Sequence, residues 1–124
     1  MTVIIAEKPS LGRNIADAIG GMTKRNGYIE GTEYIVTWAF GHLFSLCDIE
    51  DYTGNTGKWS MEGLPCFPET FKFKLRLGAD KKVDAGVERQ FETIRYLCTR
   101  PDTDRIVNAG DSDREGEIII RLCV

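Results

Sequence analysis

The sequence predicts an α/β fold built on a mostly parallel central sheet, and two observations carry that prediction. Residues Thr2 to Ala6 form a continuous run rich in β-branched side chains, the pattern of a strand buried on both faces in a parallel sheet. Twice along the chain, after Ala6 and after Asn108, a strand-like run gives way to a turn and then to a helical period. Strand–helix units of this kind place helices against a parallel sheet.

Each element follows in order. Glu7 stands at the C-terminal end of the first strand, and Pro9 suits the first turn of a helix, where its missing N–H is no loss. Leu11, Ile15, Ala18 and Ile19 recur at helical spacing until Gly20 and Gly21 stop the helix. Tyr28 to Glu30 and Glu33 to Phe40, parted by Gly31 and Thr32, read as two strands of a β-hairpin. From Ser45 to Phe73 the chain is rich in Gly, Pro and aromatic residues without a sustained period, so an irregular excursion packed down by its aromatics is expected. Asp84 can cap a helix with Val87, Phe91, Ile94 and Tyr96 to Cys98 on its face, ending near Arg100 before Pro101. Arg105 to Asn108 is a short strand, Ala109 to Ser112 a turn, and Asp113 onward a helix with Ile118, Ile119, Leu122 and Cys123 inward. The period of that last helix is still running at Val124, so a chain cut within or just after it is expected.

Composition bounds the partners. A chain of 124 residues can bury one core, hence one domain over 1–124 and one site, and 42% hydrophobic with 28% charged residues is the balance of a globular protein. Its net charge of −3 lacks the basic excess with which an autonomous nucleic-acid binder neutralises phosphates. If DNA is the partner, most of the grip lies in other segments. Cys47, Cys66, Cys98 and Cys123 form no CxxC pair and are expected as reduced, structural thiols. No run approaches the ~20 apolar residues that span a bilayer, and the apolar start lacks a secretory leader. The expectation is a cytoplasmic, monomeric chain with no membrane partner.

The acids mark the site. In open α/β sheets the functional crevice lies outside the carboxyl ends of the strands. Glu7 occupies one such end, and the run Asp111, Ser112, Asp113, Arg114, Glu115, Gly116, Glu117 occupies another. The pairs Asp111/Glu115 and Asp113/Glu117 are four apart, a spacing that brings carboxylates to neighbouring faces of a helix start. Hard oxygen ligands crowded in this way suit a divalent cation, and two or three carboxylates suit Mg²⁺, which keeps waters and a phosphate in its shell. First-turn acids also cap helices and complement the dipole, but a whole DSDREGE run after a strand and an Asn-Ala-Gly turn exceeds what capping needs. Gly110 is expected to give the turn a backbone conformation that aims Asp111 into the crevice. The chain has neither a GxxxxGK[ST] phosphate loop nor a dinucleotide fingerprint.

The stretch Val3-Ile4-Ile5-Ala6-Glu7-Lys8-Pro9-Ser10, followed by Asn108-Ala109-Gly110-Asp111-Ser112-Asp113-Arg114-Glu115-Gly116-Glu117, resembles the Toprim signature of type IA DNA topoisomerases, nearest the topoisomerase III branch. Gly41-His42-Leu43, Trp59 and Leu64-Pro65 sit where that family has similar residues. Ala109-Gly110 stands where the family commonly has Ala-Thr.

The resemblance implies a Rossmann-like Toprim fold over nearly the whole chain, and it implies roles. Glu7 would be the acid beside the scissile phosphate, assisting proton transfer to the 3′ oxygen and sharing the metal shell, while Lys8 would steady charge on the phosphate. Asp111 and Asp113 would hold Mg²⁺, for which Mn²⁺ can substitute, with Glu115 an outer or alternative ligand and Glu117 structural. Arg114 would contact phosphate or, the favoured reading, pair with an acid. His42 and Trp59 are candidate DNA contacts, although a packed histidine and a loop-anchoring tryptophan are the plainer readings. The family's reaction breaks and rejoins one DNA strand by transesterification through a 5′-phosphotyrosyl link. None of Tyr28, Tyr34, Tyr52 and Tyr96 lies in the family's nucleophile context, so this stretch alone is expected to be inactive and to meet single-stranded DNA mainly through other domains. The family's sheet also usually continues into a further strand. A Toprim domain of a primase or nuclease is the alternative, against which AEKPS and GHL argue; a non-catalytic interaction module would lack the acids.

Overall fold

A computed structural model of the chain describes residues 1–48, 51, 52, 61, 64–78 and 82–124. Among the described residues, the elements run in the order β1 (Thr2–Ala6), α1 (Pro9–Ile19), β2 (Thr23–Lys24), β3 (Tyr28–Glu30), β4 (Tyr34–Trp38), β5 (Phe44–Leu46), β6 (Phe73–Leu75), α2 (Ala85–Cys98), β7 (Arg105–Ala109) and α3 (Arg114–Arg121). The main sheet has the order β2-β3-β4-β1-β7. β1 lies parallel to both neighbours, with Ala6 level with Trp38 on one side and Ala109 on the other. The hairpin β3–β4 and the short β2 are antiparallel. Three parallel strands therefore end together, at Ala6, Trp38 and Ala109.

The pleat divides the core. Val3, Ile5 and Ile35 point to the face covered by α2 and α3, where they meet Val87, Ile94, Leu97, Ile119, Ile120 and Cys123. Val36 points to the other face and packs with Ala16, Ile15 and Trp38 under α1. As expected, β1 is covered on both sides. β7 is not: it is the sheet's edge, and Ile106 and Val107 are each 37% exposed.

The helix faces differ in detail from those expected. In α1 the buried positions are Gly12 and Ala16, while Ile19 and Ala18 face out. The reason is Trp38, which lies so close over Gly12 that an added Cβ would stand 2.8 Å from its ring. In α2 Asp84 caps as expected, accepting from the Gly86 and Val87 N–H groups. Gln90 joins its buried face and Tyr96 is exposed instead. Gln90 Nε2 donates to Gly27 O, Thr37 Oγ1 and Trp38 O at 2.6–3.1 Å, a polar bolt between α2 and the hairpin.

In α3 the cap at Asp113 sets the phase, so that Gly116, Ile119, Ile120 and Cys123 form the buried stripe. Ile118, expected inward, is exposed, and Leu122 is only half-buried. The helix closes at Arg121 rather than running on to Val124, its last carbonyls taken by tighter bonds such as Cys123 N to Ile120 O.

The two ends of the excursion pair, while 49–50, 53–60 and 62–63 within it lie outside the described residues. β5 and β6 form an antiparallel ribbon pairing Phe44 with Leu75 and Leu46 with Phe73. The alternation Phe71, Phe73, Leu75 against Lys72, Lys74, Arg76 is a two-residue period that Gly and Pro on either side conceal. Nor do its aromatics all pack down: Phe67, Phe71 and Phe73 are exposed. Just before it, Phe44 packs edge-on to Phe91 with centroids 5.1 Å apart.

Candidate active site

The residues singled out in the sequence gather where β1, β4 and β7 end. Glu7 and Lys8 follow β1 directly, with Lys8 in extended backbone at the start of α1. From β4 the chain turns back across this end: Ala39 N donates to Ala6 O, and Gly41 N to Glu7 O at 3.0 Å. Gly41 takes φ of 70°, the left-handed region that favours glycine. The bend sets His42 at the rim and buries Leu43 beneath it. From β7, Asn108 Oδ1 accepts the Gly110 N–H, shaping the turn that presents Asp111.

The two acidic turns touch. Asp111 N donates to Glu7 Oε2 at 3.2 Å. The remaining carboxylates each have their own partner. Asp113 Oδ1 accepts the Gly116 N–H at 2.7 Å as the cap of α3. Glu115 Oε2 lies 2.7 Å from His42 Nε2. Glu117 is held by Asn108 Nδ2 and Arg121 Nε.

Two expectations change. Asp111 lies in the turn, as read from the sequence, but the acids expected to come together at the helix start turn to different partners, Asp113 to Gly116 N, Glu115 to His42, and Glu117 to Asn108 and Arg121. Among the described residues, no three acids, histidines or cysteines already stand together as a cage for an ion. Like charges separate unless a cation holds them, and here N–H groups, His42 and Arg121 take them singly. Gly110 has no left-handed φ. It is needed instead for close approach, because a Cβ there would stand 2.5 Å from Gly116 O. A Cβ on Gly116 would collide with the Asp111 backbone in turn, so this glycine pair lets α3 start directly against the acidic turn.

Arg114 is exposed and makes no ion pair with an acid among the described residues. Lys8 is likewise exposed without one. Two cations thus flank the acids with their charge available to an anion. Trp59 lies outside the described residues. His42 was legible as a candidate, but its partner Glu115, 73 residues away, was not. Asn108 was missed as well, though the Asn-Ala-Gly turn is a signal for a side chain that bonds two residues ahead.

The side-chain oxygens of Glu7 and Asp111 are hard donors, of the kind that suits a divalent cation. The family model for the Toprim domain matches residues 2–124. This chain belongs to the Toprim family. Curated relatives agree: it is 44% identical over 123 residues to a protein named DNA topoisomerase 3 from Bacillus subtilis (strain 168), covering 99% of this chain and 16% of that protein. A protein of the same name from Staphylococcus epidermidis is 40% identical over 121 residues, covering 98% and 16%. The Toprim chain thus spans about a sixth of the relatives' length, and the AEKPS and DSDREGE stretches both fall within the matched span. Among the described residues no helix is long and apolar enough to cross a membrane.

Proposed function

We propose that this Toprim chain is the metal-binding catalytic part of a type IA DNA topoisomerase, acting on a single-stranded region of DNA that other domains grip. The observation that supports the reading is the hydrogen bond from Asp111 N to Glu7 Oε2, which joins the turn bearing Glu7 and Lys8 to the turn that opens the DSDRE run. Glu7 would share the metal shell and carry a proton to or from the 3′ oxygen at the scissile phosphate. Lys8 would neutralise charge gathering on the phosphate oxygens, with Arg114 a second contact. Asp111 and Asp113 would be the principal ligands of Mg²⁺, or of Mn²⁺ in its place, with Glu115 completing the set. When bound, the ion would supply positive charge beside the phosphate. The attacking tyrosine would come from another domain, so this chain alone would cleave nothing, and its net negative charge would leave it little affinity for duplex DNA at about 150 mM salt. The whole protein would work on DNA in the cytoplasm.

Calorimetric titration of Mg²⁺ and Mn²⁺ into the chain and into its Asp111→Asn/Asp113→Asn variant tests the metal assignment. Weak binding by the first and little by the second is expected; equal binding by both would sink it.

A further inference from the structure

Glu115 is a long, 69% exposed side chain on the first turn of α3, and among the described residues its side chain has His42 as its one partner. An ionised carboxylate can only accept, so the imidazole donates from Nε2. The donor is itself fixed from both sides. Gly41, immediately before it, is hydrogen-bonded to Glu7 O, and Leu43, immediately after, is 1% exposed in the core. Arg76 N also donates to Leu43 O, tying this rim to β6. His42 therefore stands on rigid backbone, and Glu115 leans on it.

We propose that His42 is a positioning residue, which holds Glu115 Oε2 and so fixes the orientation of this carboxylate of the DSDRE run. The inference rests on the reading of the acids as metal-facing. It assigns His42 to the carboxylate rather than to a DNA base. Groups that orient ligating carboxylates through a hydrogen bond typically change metal affinity about 10–100-fold when removed.

Because His42 is the only histidine in the chain, its ring nitrogens give an unambiguous NMR signal. In the metal-free chain, Glu115→Gln is expected to shift the Nε2 resonance at fixed pH, and no shift would overturn the contact. Mn²⁺ affinity measured by calorimetry is then compared across variants. His42→Ala is expected to weaken binding about tenfold or more, His42→Gln, which retains an N–H donor, to recover part of the loss, and His42→Ala to add little in a Glu115→Gln background. Mn²⁺ binding unchanged by His42→Ala, or a His42→Ala loss undiminished in the Glu115→Gln background, overturns the positioning role alone. Failure of the unaltered chain to bind Mn²⁺ at all overturns the metal reading and this role with it.

Discussion

Asp111 N donates to Glu7 Oε2 at 3.2 Å, joining two turns 104 residues apart in sequence. The bond follows from topology: β1 and β7 are parallel neighbours in register from Thr2/Arg105 to Ala6/Ala109, so the residues just beyond them are delivered to the same spot. A carboxylate that accepts a backbone N–H is oriented before any ligand arrives. Prediction about this end of the sheet can therefore separate what holds the turns from what acts in them.

Asp113 has one oxygen committed to the Gly116 N–H as the cap of α3. Asparagine caps nearly as well as aspartate, whereas alanine in its place loses about 1 kcal/mol. Asp113→Asn should therefore keep near-normal stability and weaken Mg²⁺ binding, while Asp113→Ala should lose both. Denaturant melts beside calorimetry check this; an Asn variant as unstable as the Ala variant would mean the cap is not what the oxygen provides.

Gly116→Ala puts two effects in opposition. Alanine favours a helix over glycine by roughly 0.5–1 kcal/mol, but its Cβ would run into the Asp111 backbone. Overpacking of that sort typically destabilises by about 1–3 kcal/mol, and neither backbone can yield without moving the acidic turn. The collision should win. A lower denaturation midpoint is expected, and an unchanged or higher one would show that the turn gives way freely.

Burial, and then the neighbouring Cys98, push the Cys123 thiol up from its ordinary 9.0 to about 11. The folded state thus prefers the neutral thiol more strongly than the unfolded chain does. Its contribution is complete below pH 9.0 and is lost as pH rises through about 11. Over that window the unaltered chain should lose on the order of 1–2 kcal/mol more stability than Cys123→Ala. Denaturant midpoints measured for both proteins across the range decide it; parallel curves would mean that the thiol is not sequestered.

The parts of this fold legible in the sequence are those with a local signal. The β-branched run of β1, Pro9 at the start of α1, Asp84 and Asp113 before their helices each announce themselves within a few residues. What was hidden depends on contacts between distant segments. Trp38 over Gly12 decides which face of α1 is deep, Gln90 is buried because three acceptors of the hairpin await it, and Glu115 turns to a histidine on another loop. The acids were visible as a motif and Asp111 as a turn residue, but their spacing could not reveal that Asp113, Glu115 and Glu117 turn to separate partners, Gly116 N, His42 and Asn108 with Arg121.

The last prediction concerns Glu7 and Lys8 in a full-length protein bearing this chain. Both stand between a buried strand and a helix start, on backbone that the Ala6 and Gly41 hydrogen bonds hold in place. Neither side chain lies in the core. Their effects should therefore be on chemistry and not on folding. Lys8→Ala removes a cation that would meet the phosphate as its charge builds, and single electrostatic donors of this kind are typically worth about 100-fold or more in rate. Glu7→Gln keeps the shape of the side chain and can still accept the Asp111 N–H through its amide oxygen, but it cannot carry a proton or a negative charge. Cleavage and religation should both slow, with the turn still in place. Relaxation of supercoiled plasmid, measured beside thermal melts, separates these cases. Loss of activity at an unchanged melting temperature is expected of both variants. Near-normal relaxation, or activity that falls only in step with melting, would return Glu7 and Lys8 to the role of turn residues and leave the Asp111 loop alone as the site.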